Sequence, residues 1–437
     1  MRKKVPALVL MVLLLVNAVG MGAFVASAQE TDKPFAGVTL NVLLEGHPSS
    51  NAIKAMTPDF EAATGIKVNC EIIPYEELPQ KALLAFSQKS DSYDIIHNDR
   101  LYAAGYAAND YIYSLDDFAA DSKINQYYDP TDFVPAYLNA CKVGDKLYGL
   151  PVYGESTFLM YRKDLFEQDG IQVPATMDQL VEAAKAIKEK SNGQIAGITM
   201  RGSAGIHVVY TWAGFLWAYG GHWFDDKCKL DIATPEAIKA TETYAKLLND
   251  YGPLGYANFG WQENRLLFQQ GKAGMTIDAT VNGAYCENPD ESLIVGKTGY
   301  APVPSGSDKQ LGGQHSLAVH ELFISKFSKN PEAAFLFATW ALNKEQQLKA
   351  MEIEPHCGVS SLGAMEGPVF QEKYGAFKDG MLEAISKANV GYIPTTPEAS
   401  EIIDRVGRAL SEVLAGTKTA KDALEAVNTD INTNVIK

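Results

Sequence analysis

Residues 38–44 read VTLNVLL, residues 66–73 IKVNCEII and residues 92–99 SYDIIHND, and these three runs decide the fold. The first is an apolar, β-rich run, the second reads as the next strand, and the third as a short strand that ends in polar residues. Between them, the turn GHPSS leads into a helical pattern from Ile53 to Ala63 that closes at Gly65, and ELPQKALLAFSQ at 77–88 is helical again. Strand, helix, strand, helix, strand predicts a parallel sheet flanked by helices, where ligands sit beyond the carboxyl ends of the strands. Here those ends carry Glu45-Gly46-His47 and Asn98-Asp99-Arg100.

Outward from this core, later helices are marked by their caps. Thr176 precedes MDQLVEAAKAIKEK with Gln179 at the capping-box position, Thr234-Pro235 opens EAIKATETYAKLLNDYG, and Asn330-Pro331 opens EAAFLFATWALN. Residues 397–435 are helical with Gly416 as the break. There is no repeat and no low-complexity linker, so two globular halves are joined by short connections.

The chain has 437 residues, 46% hydrophobic and 21% charged, and a net charge of −15. That composition belongs to a folded chain of two or three domains, and its sign excludes nucleic acid and anionic membrane as partners. At the amino terminus, Arg2 to Lys4, the apolar run Ala7 to Val16 and Ala26-Ser27-Ala28 predict a signal peptide at 1–28 cleaved after Ala28. Its removal takes three basic residues and no acid, leaving −18. No cysteine lies near the cleavage point, so a free periplasmic protein is expected rather than a lipid-anchored one. Cys70, Cys141, Cys228, Cys286 and Cys357 include no C-x-x-C pair. They are read as scattered buried thiols, with one or two disulfides as the alternative, and no metal site is expected.

Catalytic signatures are near misses. Gly296-Lys297-Thr298 would end a phosphate-binding loop, but Glu291 stands where its first glycine is required, and Ile324 stands where His320-Glu321 would need a second histidine. There is no G-x-S-x-G elbow. A hydrolase of carbohydrate would need only two carboxylates, and that reading stays open. The chain is instead well supplied with aromatic rings, 21 Tyr and 5 Trp, set among polar residues in YGLPVYGESTFLMYRKDLF and YTWAGFLWAYGGHWFDD. Rings stack on the C–H faces of sugars and polyols while Asp, Glu, Asn, Arg and His take the hydroxyls, although most aromatic side chains serve packing.

YGLPVYGESTFLMYRKDLFEQDGI at 148–171, FGWQENRLLFQQGKAGMTIDATVNGAY at 259–285 and GYAPVPSG at 299–306 occur in an order that resembles extracellular solute-binding family 1, the maltose-binding-protein-like receptors of ABC sugar importers. RGSAGIHVVYTWAGFLWAYGGHWFDDK at 201–227, followed by NDYGPLGYANFGWQEN, is similar to the branch holding polyol- and monosaccharide-binding receptors. The resemblance implies an α/β, type II periplasmic-binding-protein fold, each lobe a mostly parallel sheet flanked by helices. Residues 29–150 and 303–357 would form lobe one, 151–302 and 358–437 lobe two, with three interlobe crossings. It implies a monomer without cofactor or catalysis that closes on a carbohydrate and hands it to the transmembrane permease of an importer with its cytoplasmic ATPase.

Position by position, the resemblance places Glu45, His47, Asp99 and Arg100 on the lobe-one side of the cleft. His47 could equally belong to a plain turn, and Asp99 to a cap on Leu101. Tyr153 and Glu155 lie past the first crossing, and Arg201 and His207 follow GITM; His207 could also be an exposed loop residue. Trp261 is the stacking platform with Trp212 in reserve, Glu263 follows it, and Asp278 either meets ligand hydroxyls or pairs with an arginine, ligand contact being favoured. Gln314 and His315 come after the return crossing, and His356 is at the third crossing, as a contact or as hinge packing. A receptor for a polyamine, amino acid or peptide, and a hydrolase using two of Asp99, Glu155, Glu263 and Asp278, are the rivals.

Overall fold

The computed structural model describes residues 33–306 and 315–436; the expected signal peptide and Gln314 lie outside them. Within the unit that begins at Phe35, five strands form a large sheet in the order Lys67–Ile73, Thr39–Glu45, Ile95–Asp99, Ala318–Ile324, Gly149–Glu155. Three more form a small sheet in the order Met275–Ala279, Thr157–Arg162, Thr298–Ala301. The three opening runs are parallel neighbours, and helices Pro48–Thr64 and Leu78–Ser87 supply the crossovers. Gly65, at φ 78°, ends the first helix where a left-handed residue is needed.

Side-chain alternation explains why the large sheet is covered twice. Leu40, Val42 and Leu44 enter one core with Ile53, Phe60 and Phe337, while Leu43 turns to the other face with Phe86 and Tyr106. Behind the small sheet, Ile277 and Met275 pack with Trp212, Ile402, Leu410 and Leu424 from helices Ile206–Ala218, Ala399–Leu414 and Ala420–Asn434.

Both sheets are mixed in direction, a departure from the mostly parallel lobes expected. Ala318–Ile324 runs antiparallel to both neighbours, and the three strands of the small sheet pair antiparallel, extended by parallel bridges such as Thr199 to Thr276. A helical crossover forces parallel pairing only when both strands belong to the same lobe. Ala318–Ile324 arrives from the small sheet and is free of that constraint. The chain passes between sheets at Ser156, so the expected boundary at 150/151 falls inside the strand Gly149–Glu155.

Thr176 and Thr234 cap their helices through the N–H groups of Gln179 and Ala237, as expected, whereas Asn330 makes no side-chain cap and the helix starts on Pro331. All five cysteines are free. Cys141, Cys286 and Cys357 are buried, but Cys70 is half-buried and Cys228 is exposed at the tip of the turn joining Asp225 to Lys229, where its φ is 58°.

One core residue is an acid. Glu321 is fully buried on Ala318–Ile324, where its carboxylate fills the space a side chain at Gly149 would need. The Cys141 thiol lies beside it, yet neither oxygen has a partner of standard hydrogen-bond geometry. Burial pushes this carboxyl up to about 8, against the pull of Arg100. Folding therefore favours the protonated form, and the contribution is lost as pH rises through that value. Thermal denaturation from pH 6 to 9 should show a falling Tm in the parent and a flatter profile in Glu321→Gln; parallel profiles would contradict this.

Candidate functional site

Between the two sheets lies a cavity of about 640 Å³, its open mouth included. The large sheet delivers Glu45, Asp99, Tyr153, Glu155 and His320 to it from strand ends, as the topology predicts. Arg201, Tyr210, Trp261, Asn282 and Tyr285 come to it from the segments of the small-sheet side, and His47 and Tyr75 also line it.

The centre of the large-sheet wall is a compensated carboxylate. Glu45 accepts from Tyr153 Oη at 2.6 Å and from His320 Nδ1 at 2.9 Å. Burial would raise its carboxyl, but His320, followed by His97 and His47, holds it below the ordinary range. His320 is itself lifted to about 9: burial opposes the charged form, and Glu45, Asp99 and Glu155 outweigh it. Tyr153 is sandwiched between two imidazoles, its ring 4.3 Å from His47 and 4.4 Å from His320, both nearly parallel to it. His47 accepts from the Ser49 N–H through Nδ1 at 3.2 Å, and burial lowers it to about 3, so it is the neutral, helix-capping member of the stack.

The opposite wall uses a second ion pair. Asp278 accepts from Arg201 Nε at 2.9 Å and Nη2 at 2.5 Å and also receives the Asn264 amide. Arg201 packs its guanidinium over Tyr210, 4.5 Å from the ring centre, leaving Nη1 as its unbonded nitrogen among the described residues. Asp278 is therefore the arginine's partner rather than a cavity residue, which corrects the expectation of ligand contact. Trp261 does reach the cavity. Beneath it the Arg265 guanidinium lies 5.4 Å from its ring and 3.8 Å from that of Tyr285.

Several groups have hydrogen-bonding capacity to offer. Asn282 is 2% exposed, lines the cavity, and its amide nitrogen has no partner. Asp99 caps Leu101 through one oxygen at 3.0 Å and also lines the cavity. Burial raises its carboxyl, and burial takes that of Glu155 to about 7.

Other expected residues stand outside the cavity. Trp212 is wholly buried in the core behind the small sheet, its indole donating to Thr241, because it sits on a helix apolar all round. Glu263 accepts from the Gly260 N–H at 2.9 Å, tying down the start of its helix. His207 pairs with Glu76 at 3.3 Å. Arg100 donates to the carbonyls of Leu317 and Val390. His315 donates through Nδ1 to the Thr157 carbonyl at 2.8 Å, pinning the return crossing. His356 packs against Tyr285, the hinge alternative. The sequence reading missed Tyr75, Tyr210, Asn282, Tyr285 and His320. For His320 a signal existed: residues 318, 320 and 322 alternate along a strand whose end faces the first one.

A cavity at the seam of two sheets, walled by both and holding paired charges, aromatic rings and unpartnered polar groups, defines a two-lobe solute-binding receptor. The chain belongs to the family described as bacterial extracellular solute-binding protein, whose profile matches residues 46–348; membership makes it a binding protein, not an enzyme. It is similar to a mannitol-binding protein of Pseudomonas aeruginosa, 28% identical over 84% of this chain and 86% of that one. An erythritol/L-threitol-binding protein of Mycolicibacterium smegmatis is 24% identical over 72% and 69%. Among solved structures, an ABC transporter solute-binding protein of Agrobacterium radiobacter in complex with ribitol superposes with TM-score 0.84 at 26% identity, covering 91% of this chain and 99% of that one. Another, from Agrobacterium vitis with bound D-mannitol, gives 0.79 at 30% identity over 90% and 96%. Among the described residues no helix is long and apolar enough to cross a membrane.

Removing one member of a buried ion pair strands the other. Asp278→Ala should cost about 3–5 kcal/mol of stability by urea denaturation. A loss below about 1 kcal/mol would show that Arg201 finds water or another partner.

Proposed function

We propose that this chain is the receptor of an ABC importer for an uncharged polyhydroxyl compound, an acyclic sugar alcohol of the size its relatives' names record or a related monosaccharide. The observation that carries this reading is internal pairing of charge: Glu45 with His320 and Arg201 with Asp278, so that what faces the cavity is suited to hydroxyls rather than to a strong ion. Asp99 and Glu155 accept from hydroxyls, Arg201 and Asn282 donate to them, and Trp261 covers the carbon face. Ligand captured on one wall gains the contacts of the other on closure, which shifts the population toward the closed form the permease reads.

The rivals fit less well. A polyamine would meet two cations, Arg201 and His320, in the cavity wall. A hydrolase would need two carboxylates flanking the scissile bond. Of the four candidates Glu263 and Asp278 are engaged with the Gly260 N–H and Arg201, and Asp99 and Glu155 both come from the large sheet. In this reading the segment 1–28 is cleaved after Ala28, the mature chain works in the periplasm as a monomer, and the first lobe boundary lies at Ser156.

A thermal-shift and calorimetric screen over alditols, monosaccharides, oligosaccharides and polyamines tests the proposal. An alditol or monosaccharide at 100 times its Kd should stabilise the protein by about 2.7 kcal/mol and be recovered unchanged. Trp261→Ala should weaken binding by about 30-fold, the size of a well-packed aromatic anchor. Stabilisation by polyamines alone, or release of new reducing ends, would overturn it.

A further inference from the structure

Beside the cavity, three metal-ligating side chains converge. Glu45, His97 and His320 are all buried, and each offers a ligand atom within 4.8 Å of the other two. A tetrahedral zinc site with Zn–N of about 2.0 Å spaces its ligand atoms roughly 3.3 Å apart, within reach of small side-chain rotations. His97 is fully buried on Ile95–Asp99, and its Nε2 has no hydrogen-bond partner. An orphaned imidazole nitrogen costs stability unless something occupies its lone pair or proton. Its other nitrogen, Nδ1, lies 3.5 Å from the Ser50 hydroxyl, which can accept a hydrogen bond from it; in that tautomer Nε2 carries the free lone pair a metal needs.

The surroundings of the trio also suit a cation. Tyr153 Oη holds Glu45 Oε1, leaving Oε2 as the oxygen shared with His320 Nδ1. This is the outer arrangement that orients a ligating carboxylate. Asp99 and Glu155 add negative potential at His320. Glu45 and His320 line the cavity, so a bound cation would keep a coordination position open toward it. The imidazole-rich donor set selects the zinc, cobalt and nickel class over calcium or magnesium, which prefer all-oxygen ligands.

We propose that Glu45, His97 and His320 form a three-ligand site for one divalent transition cation at the base of the cavity. The cation takes the place of the proton that bridges Glu45 and His320, and that proton leaves to solvent. No metal was expected from the sequence, because these residues lie 275 positions apart at the extremes and come together only in the large sheet.

The test uses untagged mature protein stripped with chelator and titrated with Co2+ and Zn2+. One equivalent of Co2+ should give the intense ligand-field absorption of a four-coordinate site, Zn2+ should abolish it and raise Tm, and binding should release a proton. His97→Gln, which leaves the Glu45–His320 pair in place, should weaken Co2+ binding at least 10-fold, while His222→Gln, at a half-buried histidine paired with Asp231, should not change it. Absence of the absorption in the parent, a weak octahedral spectrum, or equal affinity in His97→Gln would overturn the proposal. Alditol stabilisation measured in chelator is independent of it, so failure of the metal site and failure of the polyol reading are separately visible.

Discussion

A carboxylate buried at the end of a sheet is tolerated only if a cation and a donor stand against it, and Glu45 has both in His320 and Tyr153. Each of the three comes from a different strand of the large sheet. The pair therefore couples the first strand, the return strand Ala318–Ile324 and the strand that leads into the crossing at Ser156. The His47–Tyr153–His320 stack grows from the same point: with Tyr153 fixed by Glu45, an imidazole lies against each of its faces.

The opposite wall repeats the solution with Arg201 and Asp278, and the result is a cavity whose strong charges are mostly satisfied before any ligand enters. That bears on the proposed ligand class more directly than overall charge does. A net −15 would tolerate a cationic ligand, yet the local field is divided between two internal pairs. In the proposed reading, a guest that supplies hydroxyls would complete the bonds of Asn282, Arg201 and Asp99 without disturbing either pair. Aromatic rings at Trp261, Tyr75, Tyr210 and Tyr285, with Ile206, Val281 and small residues, line the rest.

Much of this architecture was readable from local pattern. Three short runs and their intervening helices give the three parallel strands of the large sheet, strand ends point to Glu45 and Asp99, and the segment around Trp261 marks an indole that lines the cavity. What failed depended on contacts between distant segments. For Asp278 the sequence leaves two readings, ligand hydroxyls or an arginine, that differ only in where residue 201 folds, and the structure shows the arginine. Trp212 was indistinguishable by composition from a platform indole, and only the all-round apolar character of its helix places it in the core. His320 was seen as half of a protease motif, although on a strand the adjacent Glu321 must point to the opposite face. Strand direction was also invisible, since it follows from which lobe a strand arrives from.

The most direct measurement is the structure of the protein bound to its tightest alditol or monosaccharide. The guest should lie between the two sheets with its carbon face on Trp261, its hydroxyls on Asp99, Arg201 and Asn282, and the Glu45–His320 and Arg201–Asp278 pairs intact. A ligand seated away from this cavity, or one whose binding breaks either pair to make its own ionic bond, would contradict the account.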